Sequence, residues 1–284
     1  MDELPGGYWD AAGRLHREFE LAPLTGREEE LLAGAGDAGP ALVTTVLSRT
    51  VRRLGEISPV PPEVAAGLLI ADRLYLLLRL RAASFGENVR ADLFCPWQDC
   101  GQRISLAFSL ADLPVVRSAA PAPVYTASTA EAGEAVFRLP NGADQQELAA
   151  SVAENEAWAL TLLLSRCLHR LGTIESPSPE QVAALPARVR AELETCLYEA
   201  APRIDQTIEV GCAACGRTFI APFDIERFLF GDLRTDGDLL YREVHYLAFH
   251  YHWSEREIME MTRDRRRTYI DVLTETIEVL NSEA

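Results

Sequence analysis

The sequence predicts an α+β fold: two pseudo-repeated, mainly helical domains, each with β-hairpins and a cysteine knuckle, followed by a C-terminal helical extension. Three observations lead there. Two cysteine pairs each sit between alternating, strand-like runs. A set of short segments recurs in the same order at a nearly constant offset. The last fifty residues have helical periodicity and no counterpart in the first half. The implied boundaries are 1–113 for the first repeat, 114–123 for a Pro/Ala linker, 124–230 for the second repeat and 231–284 for the tail.

The first cysteine pair lies in Cys95-Pro96-Trp97-Gln98-Asp99-Cys100-Gly101, between Val89–Phe94 and Arg103–Phe108. The second lies in Cys212-Ala213-Ala214-Cys215-Gly216, between Ile204–Val210 and Arg217–Phe223. Each reads as a hairpin whose turn ends in glycine, the residue that accepts the positive φ such a turn needs. Together Cys95, Cys100, Cys212 and Cys215 supply four thiols, the number a closed tetrahedral zinc site requires. One structural Zn²⁺ shared by the two knuckles is one reading; two tight turns with small buried thiols is the other. A four-cysteine site has no open position for chemistry, so any metal here is structural.

Along the chain, Tyr8 to Leu15 crosses a turn into the alternating run Leu15–Leu21, a hairpin opening. Thr25 and Glu28 form a capping box at a helix start. A second helix is expected from Ala41 to Leu54, stopped by Gly55. After the rigid Ser58-Pro59-Val60-Pro61-Pro62, one long buried helix is expected from Glu63 to about Ala83. Pro114 to Pro123 has linker composition. The pattern then restarts. Leu47-Ser48-Arg49 and Arg53-Leu54-Gly55 recur 117 positions on as Leu164-Ser165-Arg166 and Arg170-Leu171-Gly172. Phe19 recurs 118 positions on as Phe137, and Cys100 and Phe108 recur 115 on as Cys215 and Phe223. A period of about 116 is too long for a solenoid and suits two copies of a small domain. Gly231–Gly237 reads as a loop closing the second copy. In the tail, Asp238–Tyr251 is helical, Ser254 and Glu257 form a capping box, and Thr262 caps a last helix reaching Leu280.

Composition narrows the function. The 284 residues carry a net charge of −16, which repels phosphate backbones and disfavours general nucleic-acid binding. The start, Met1 to Tyr8, lacks the apolar stretch of a secretory signal. The most apolar window, Ala65 to Phe85, is interrupted by Asp72, Arg73, Arg79 and Arg81, which excludes a membrane span of about 20 apolar residues. Six cysteines without a signal read as thiols or ligands in a cytoplasmic protein. Cys167 and Cys196 lie on apolar helix faces as core thiols. His245, His250 and His252 fall on different faces among aromatic neighbours, which points to packing or an interface. No nucleophile elbow, phosphate loop, HExxH helix or dinucleotide fingerprint is present, so the chain is not expected to be an enzyme.

Leu240–His245, Tyr251-His252-Trp253-Ser254-Glu255 and Arg265-Arg266-Arg267-Thr268-Tyr269 are similar to the C-terminal signature of the T-even-like phage baseplate hub assembly chaperones. That family occurs in contractile phage tails and phage-tail-like contractile injection systems. Phe137–Asp144, the second cysteine hairpin with Phe223-Asp224-Ile225, and Pro23–Glu28 carry the same resemblance. His252 departs from it, standing where a glycine is expected before Trp253-Ser254-Glu255. The resemblance implies a non-enzymatic assembly chaperone or structural adaptor whose partners are baseplate hub, spike or wedge proteins, with no nucleic acid and no membrane. Aromatic and arginine side chains are the usual interface anchors. The tail offers Tyr246, Phe249, Tyr251, Trp253, Arg263, Arg266 and Tyr269. A zinc-ribbon regulatory protein binding nucleic acid or a protein partner is the alternative.

Overall fold

The computed structural model describes residues 2–35, 39–225, 231 and 237–282. In chain order the described elements begin with β1 (Glu3–Trp9), β2 (Leu15–Leu21), α1 (Gly26–Gly34), α2 (Pro40–Thr50), β3 (Val51–Leu54), α3 (Pro62–Gly67) and α4 (Ile70–Phe85). Next come β4 (Asn88–Phe94), β5 (Arg103–Ser109), β6 (Val115–Val116), β7 (Tyr125–Thr129), β8 (Gly133–Phe137), α5 (Gly142–Glu154) and α6 (Glu156–Cys167). They continue with β9 (Leu168–Leu171), β10 (Ile174–Glu175), α7 (Pro179–Ala183), α8 (Ala187–Ala200), β11 (Arg203–Ile204), β12 (Thr207–Gly211) and β13 (Thr218–Pro222). The tail holds α9 (Gly237–Tyr251), α10 (Glu255–Met259) and α11 (Arg263–Ser282). Helix and sheet are mixed, as the α+β expectation requires. The loop expected over Gly231–Gly237 lies largely outside the described residues. No described helix is long and apolar enough to cross a membrane.

Two compact units emerge, each gathered from separated stretches. One takes Met1–Glu20, Gly39–Leu76 and Pro114–Asp205; the other takes Leu21–Ala38, Leu77–Leu113 and Gln206–Ala284.

The first unit holds a three-stranded sheet, β1-β2-β3, and a four-stranded sheet, β10-β9-β8-β7. Two expected helices are shorter than the sequence suggests. The helix expected to reach Leu54 ends at Thr50, because Val51–Leu54 is taken up as the edge strand β3 beside β2. Gly55 then turns the chain at φ 56°, and its N–H donates to the carbonyl of Glu18 at 2.7 Å. Gly172 repeats this at φ 56°, donating to Glu134 at 2.8 Å. The helix expected over Glu63–Ala83 is broken into α3 and α4. Leu68 is extended there, and its carbonyl accepts the N–H of Gly142 at 3.0 Å, while Leu69 bridges Asn141. Val115–Val116, inside the Pro/Ala stretch, pairs with Arg203–Ile204, which separates Ile204 from the rest of the run Ile204–Val210 expected as one strand.

The first turn of α5 shows why these breaks occur where they do. Asn141 accepts from the N–H groups of Ala143 and Asp144, and Asp144 accepts back from Asn141. Asp144 is buried and receives Arg138 at 2.7 and 2.8 Å and Arg166 at 2.9 Å. Gly142 lies against the guanidinium of Arg73, which is itself buried and donates to the carbonyls of Ala65 (2.9 Å) and Pro40 (2.7 Å). Any Cβ at position 142 collides with that guanidinium. The remaining core of this unit joins Phe137, Leu164, Leu171, Val182, Val189 and Leu193.

The second unit contains α1, packed on α9 and α10, together with the two cysteine hairpins β4-β5 and β12-β13. Thr25 and Glu28 form the expected capping box, as do Ser254 and Glu257. Leu240, Val244, Leu247, Ile258 and Met259 make its helical core. Buried Arg266 donates to Glu29 at 2.8 Å, to Glu243 at 3.0 Å and to the carbonyl of Met261 at 2.9 Å. His252 stands at φ 55°, the left-handed region that favours glycine, and so occupies the position where glycine was expected.

Two outcomes follow for stability. Gly142→Ala is expected to lower the unfolding free energy by about 1–3 kcal/mol in denaturant titration, since a methyl is forced onto a packed guanidinium. His252→Gly is expected to raise it by about 0.5–1 kcal/mol, the left-handed penalty of a Cβ less the added chain entropy of glycine.

Candidate metal centre

Both cysteine hairpins form with the register their alternation implies. Val89 pairs with Phe108 and Phe94 with Arg103; Ile208 pairs with Ala221 and Gly211 with Thr218. The knuckles close by backbone hydrogen bonds: Cys95 N–H to Gln102, Cys100 and Gly101 N–H to Trp97, Cys212 N–H to Arg217, and Gly216 N–H to Cys212. Gly101 and Gly216 take φ of 60° and 71°, which a side chain would strain.

The fold brings together all four predicted ligands. Every sulfur of Cys95, Cys100, Cys212 and Cys215 lies within 4.8 Å of the others. The pairing is crossed, with the first cysteine of one knuckle against the second of the other. Cys95 Sγ is 3.8 Å from Cys215 Sγ, and Cys100 Sγ is 3.7 Å from Cys212 Sγ. A tetrahedron with arms of about 2.3 Å has edges of about 3.8 Å, so these two separations are compatible with a shared metal ion. They are also too long for disulfides, and all six cysteines are free thiols.

Electrostatics around the cluster are uneven. Burial pushes the Cys95 thiol up to about 12. At Cys212 the backbone N–H groups of Cys215 and Ala214 outweigh burial and bring it down to about 7. N–H groups aimed at sulfur stabilise the thiolate form that binds metal. A clasp that the sequence does not announce holds the rim: Arg217 donates to both carboxylate oxygens of Asp99, at 2.8 and 2.6 Å, and lies over the Trp97 ring at 5.5 Å. Below it, Phe108 and Phe223 meet edge to face at 5.2 Å. Among the described residues, no other group of three or more histidine, cysteine or acidic side chains is placed to hold a metal. Cys167 is a buried thiol, which burial pushes up to about 12, and Cys196 is half-buried.

The tail residues named as partner anchors fall into two groups. Arg266 is fully buried in the network with Glu29 and Glu243, and Arg263 lies 3.5 Å from Glu29 and over the Phe85 ring. Tyr251 stacks on Trp253 and Tyr269 meets both edge to face, with centroids 4.6–5.8 Å apart, and the three pack against the α9–α10 core. Tyr246 is half-buried against His250, and Phe249 is 67% exposed. The buried glutamate partners of Arg266 come from α1 and α9, a pairing without a local sequence signal.

No curated protein matches the chain significantly, and no solved structure does. A family model described as T4 bacteriophage base plate protein matches residues 13–230. That span takes in β2, the capped helices α1 and α5 and all four clustered cysteines, and on it the chain belongs to the T4 bacteriophage base plate protein family.

Proposed function

We propose that this chain is a non-enzymatic assembly chaperone or structural adaptor for the baseplate of a phage-tail-like contractile injection system. Its family membership over residues 13–230 carries that reading. Its partners are then hub, spike or wedge proteins, gripped through surfaces such as the one around exposed Phe249. The net charge of −16 speaks against the nucleic-acid alternative.

Within this reading the chain is a duplicated scaffold. Supporting that are the shared 117-residue offset of Gly55 and Gly172, the same φ at both, and the matching bonds of Arg53 to Gly55 (2.9 Å) and Arg170 to Gly172 (3.1 Å). The two knuckles share one structural zinc, and the 3.7 and 3.8 Å sulfur separations support it. The metal joins two hairpins distant in sequence, so its binding free energy is folding free energy, on the order of 10 kcal/mol at neutral pH.

Metal analysis of the purified chain is expected to return one zinc per polypeptide, and Cys212→Ser to return less than half of that. Chelation is expected to lower the melting temperature of the parent and not of the variant. A parent that is metal-free when expressed with zinc present sinks the zinc assignment. For function, affinity capture from producing cells is expected to recover hub, spike or wedge components, and deletion of the gene to leave particles without complete baseplates. The chain's presence in purified particles marks an adaptor; its absence, with the assembly defect retained, marks a chaperone. Normal particles after deletion overturn both.

A further inference from the structure

The same helical device occurs three times in this chain. A short helix begins after an N-cap (Pro61, Ser178 or Ser254), then a turn, then a longer helix whose fourth residue is arginine (Arg73, Arg190 or Arg266). In all three the arginine stands twelve positions after the N-cap. The fourth residue past each cap is fully buried: Ala65, Val182 and Ile258. The tail helices, expected to have no counterpart, are thus the third instance.

Two of the three instances carry a docked helix, and both docked helices start alike. On α3–α4, the N–H of Gly142 donates to Leu68, Asn141 bridges Leu69, and Gly142 lies against Arg73. On α10–α11, the N–H of Gly26 donates to Met261 at 3.2 Å, Thr25 bridges Thr262, and Gly26 lies against Met259 and Arg266. The docked openings are Asn141-Gly142-Ala143-Asp144 and Thr25-Gly26-Arg27-Glu28. Glycine is needed because a Cβ would strike the seat: at position 26 it would come 2.9 Å from Met259 Sδ and 3.2 Å from Arg266 Nη1. Glu29, one residue past the second opening, neutralises Arg266.

The instance at α7–α8 is open. Arg73 and Arg266 are 1% and 0% exposed, whereas Arg190 is only half-buried. Ala183, Ala184 and Pro186 are exposed around it. On the neighbouring α6, Leu160 is 37% exposed, while its counterpart Val43 on α2 is fully buried.

We propose that the α7–α8 turn is a third seat, which takes the N-terminal turn of a helix from a partner protein. Complementarity states what that helix carries. It opens Thr/Asn-Gly-x-Glu/Asp, so that it caps itself and approaches the turn closely, and bears an acid placed as Glu29 is, to meet Arg190. Both helices of this type in the chain are already seated, so the occupant comes from another protein. The proposal specifies a partner surface for the adaptor reading, yet it stands on intrachain geometry. Failure of the test below leaves particle co-purification untouched, so the two readings fail separately.

The test is calorimetric titration of the intact protein with a synthetic peptide of Leu21–Ala35. Saturable one-site binding is expected. Arg190→Glu is expected to weaken it at least about tenfold, equivalent to about 1.4 kcal/mol. A peptide with Glu29→Arg should lose affinity for the parent and regain it for Arg190→Glu. A peptide with Gly26→Leu should not bind, a result independent of how any protein variant folds. Binding indifferent to Arg190→Glu or to Gly26→Leu, or none up to millimolar peptide, overturns the proposal. A concentration-dependent dimer of the chain that Arg190→Glu abolishes assigns the seat to a second copy and also overturns it.

Discussion

A guanidinium that has lost its water must be surrounded by acceptors, or the burial is too costly to persist. Arg73 and Arg266 meet that demand with carbonyls from the segment just before their own helices, Ala65 in the short helix α3 and Met261 in the turn after α10. The acceptors are correctly placed only when the short helix, the turn and the long helix are all formed. A helix from elsewhere in the same unit then closes the arginine off, through a glycine small enough to reach it. Each unit is organised around one such closure. Because Arg266 also binds Glu29 and Glu243, α1, α9 and α11 are fixed to one another by charge as well as by apolar contact.

The cysteine cluster answers a different problem. Two-stranded hairpins are marginal alone, since each has one half-buried face and two free edges. Here the hairpins meet at their tips, where four sulfurs converge, and are held beside them by Asp99 and Arg217 and at their base by Phe108 and Phe223.

Acidity fits the same picture. Several carboxylates are engaged in capping and in buried pairs: Asp144 with Arg138 and Arg166, Glu29 with Arg266, and the capping partners Glu28 and Glu257. The net charge of −16 that remains disfavours association with phosphate polymers.

Much of this was legible in the sequence because the signals are local. Capping boxes at Thr25 and Ser254 and the two cysteine hairpins with their turn glycines Gly101 and Gly216 depend on residues within a few positions of one another. The glycine expected before Trp253 came from the family resemblance alone, and histidine fills that left-handed position. Tertiary structure alone decided where helices stop. Val51–Leu54 is as good a helix as a strand by composition, and it became β3 because β2 offered a free edge. Leu68 left the helix because Gly142 needed its carbonyl. Tertiary structure also decided that Arg266, conspicuous in an arginine run, is buried, since its glutamate partners come from helices remote in sequence. Distance along the chain hides such pairings: spacing encodes which way a side chain points, but not which distant carbonyl or carboxylate it meets.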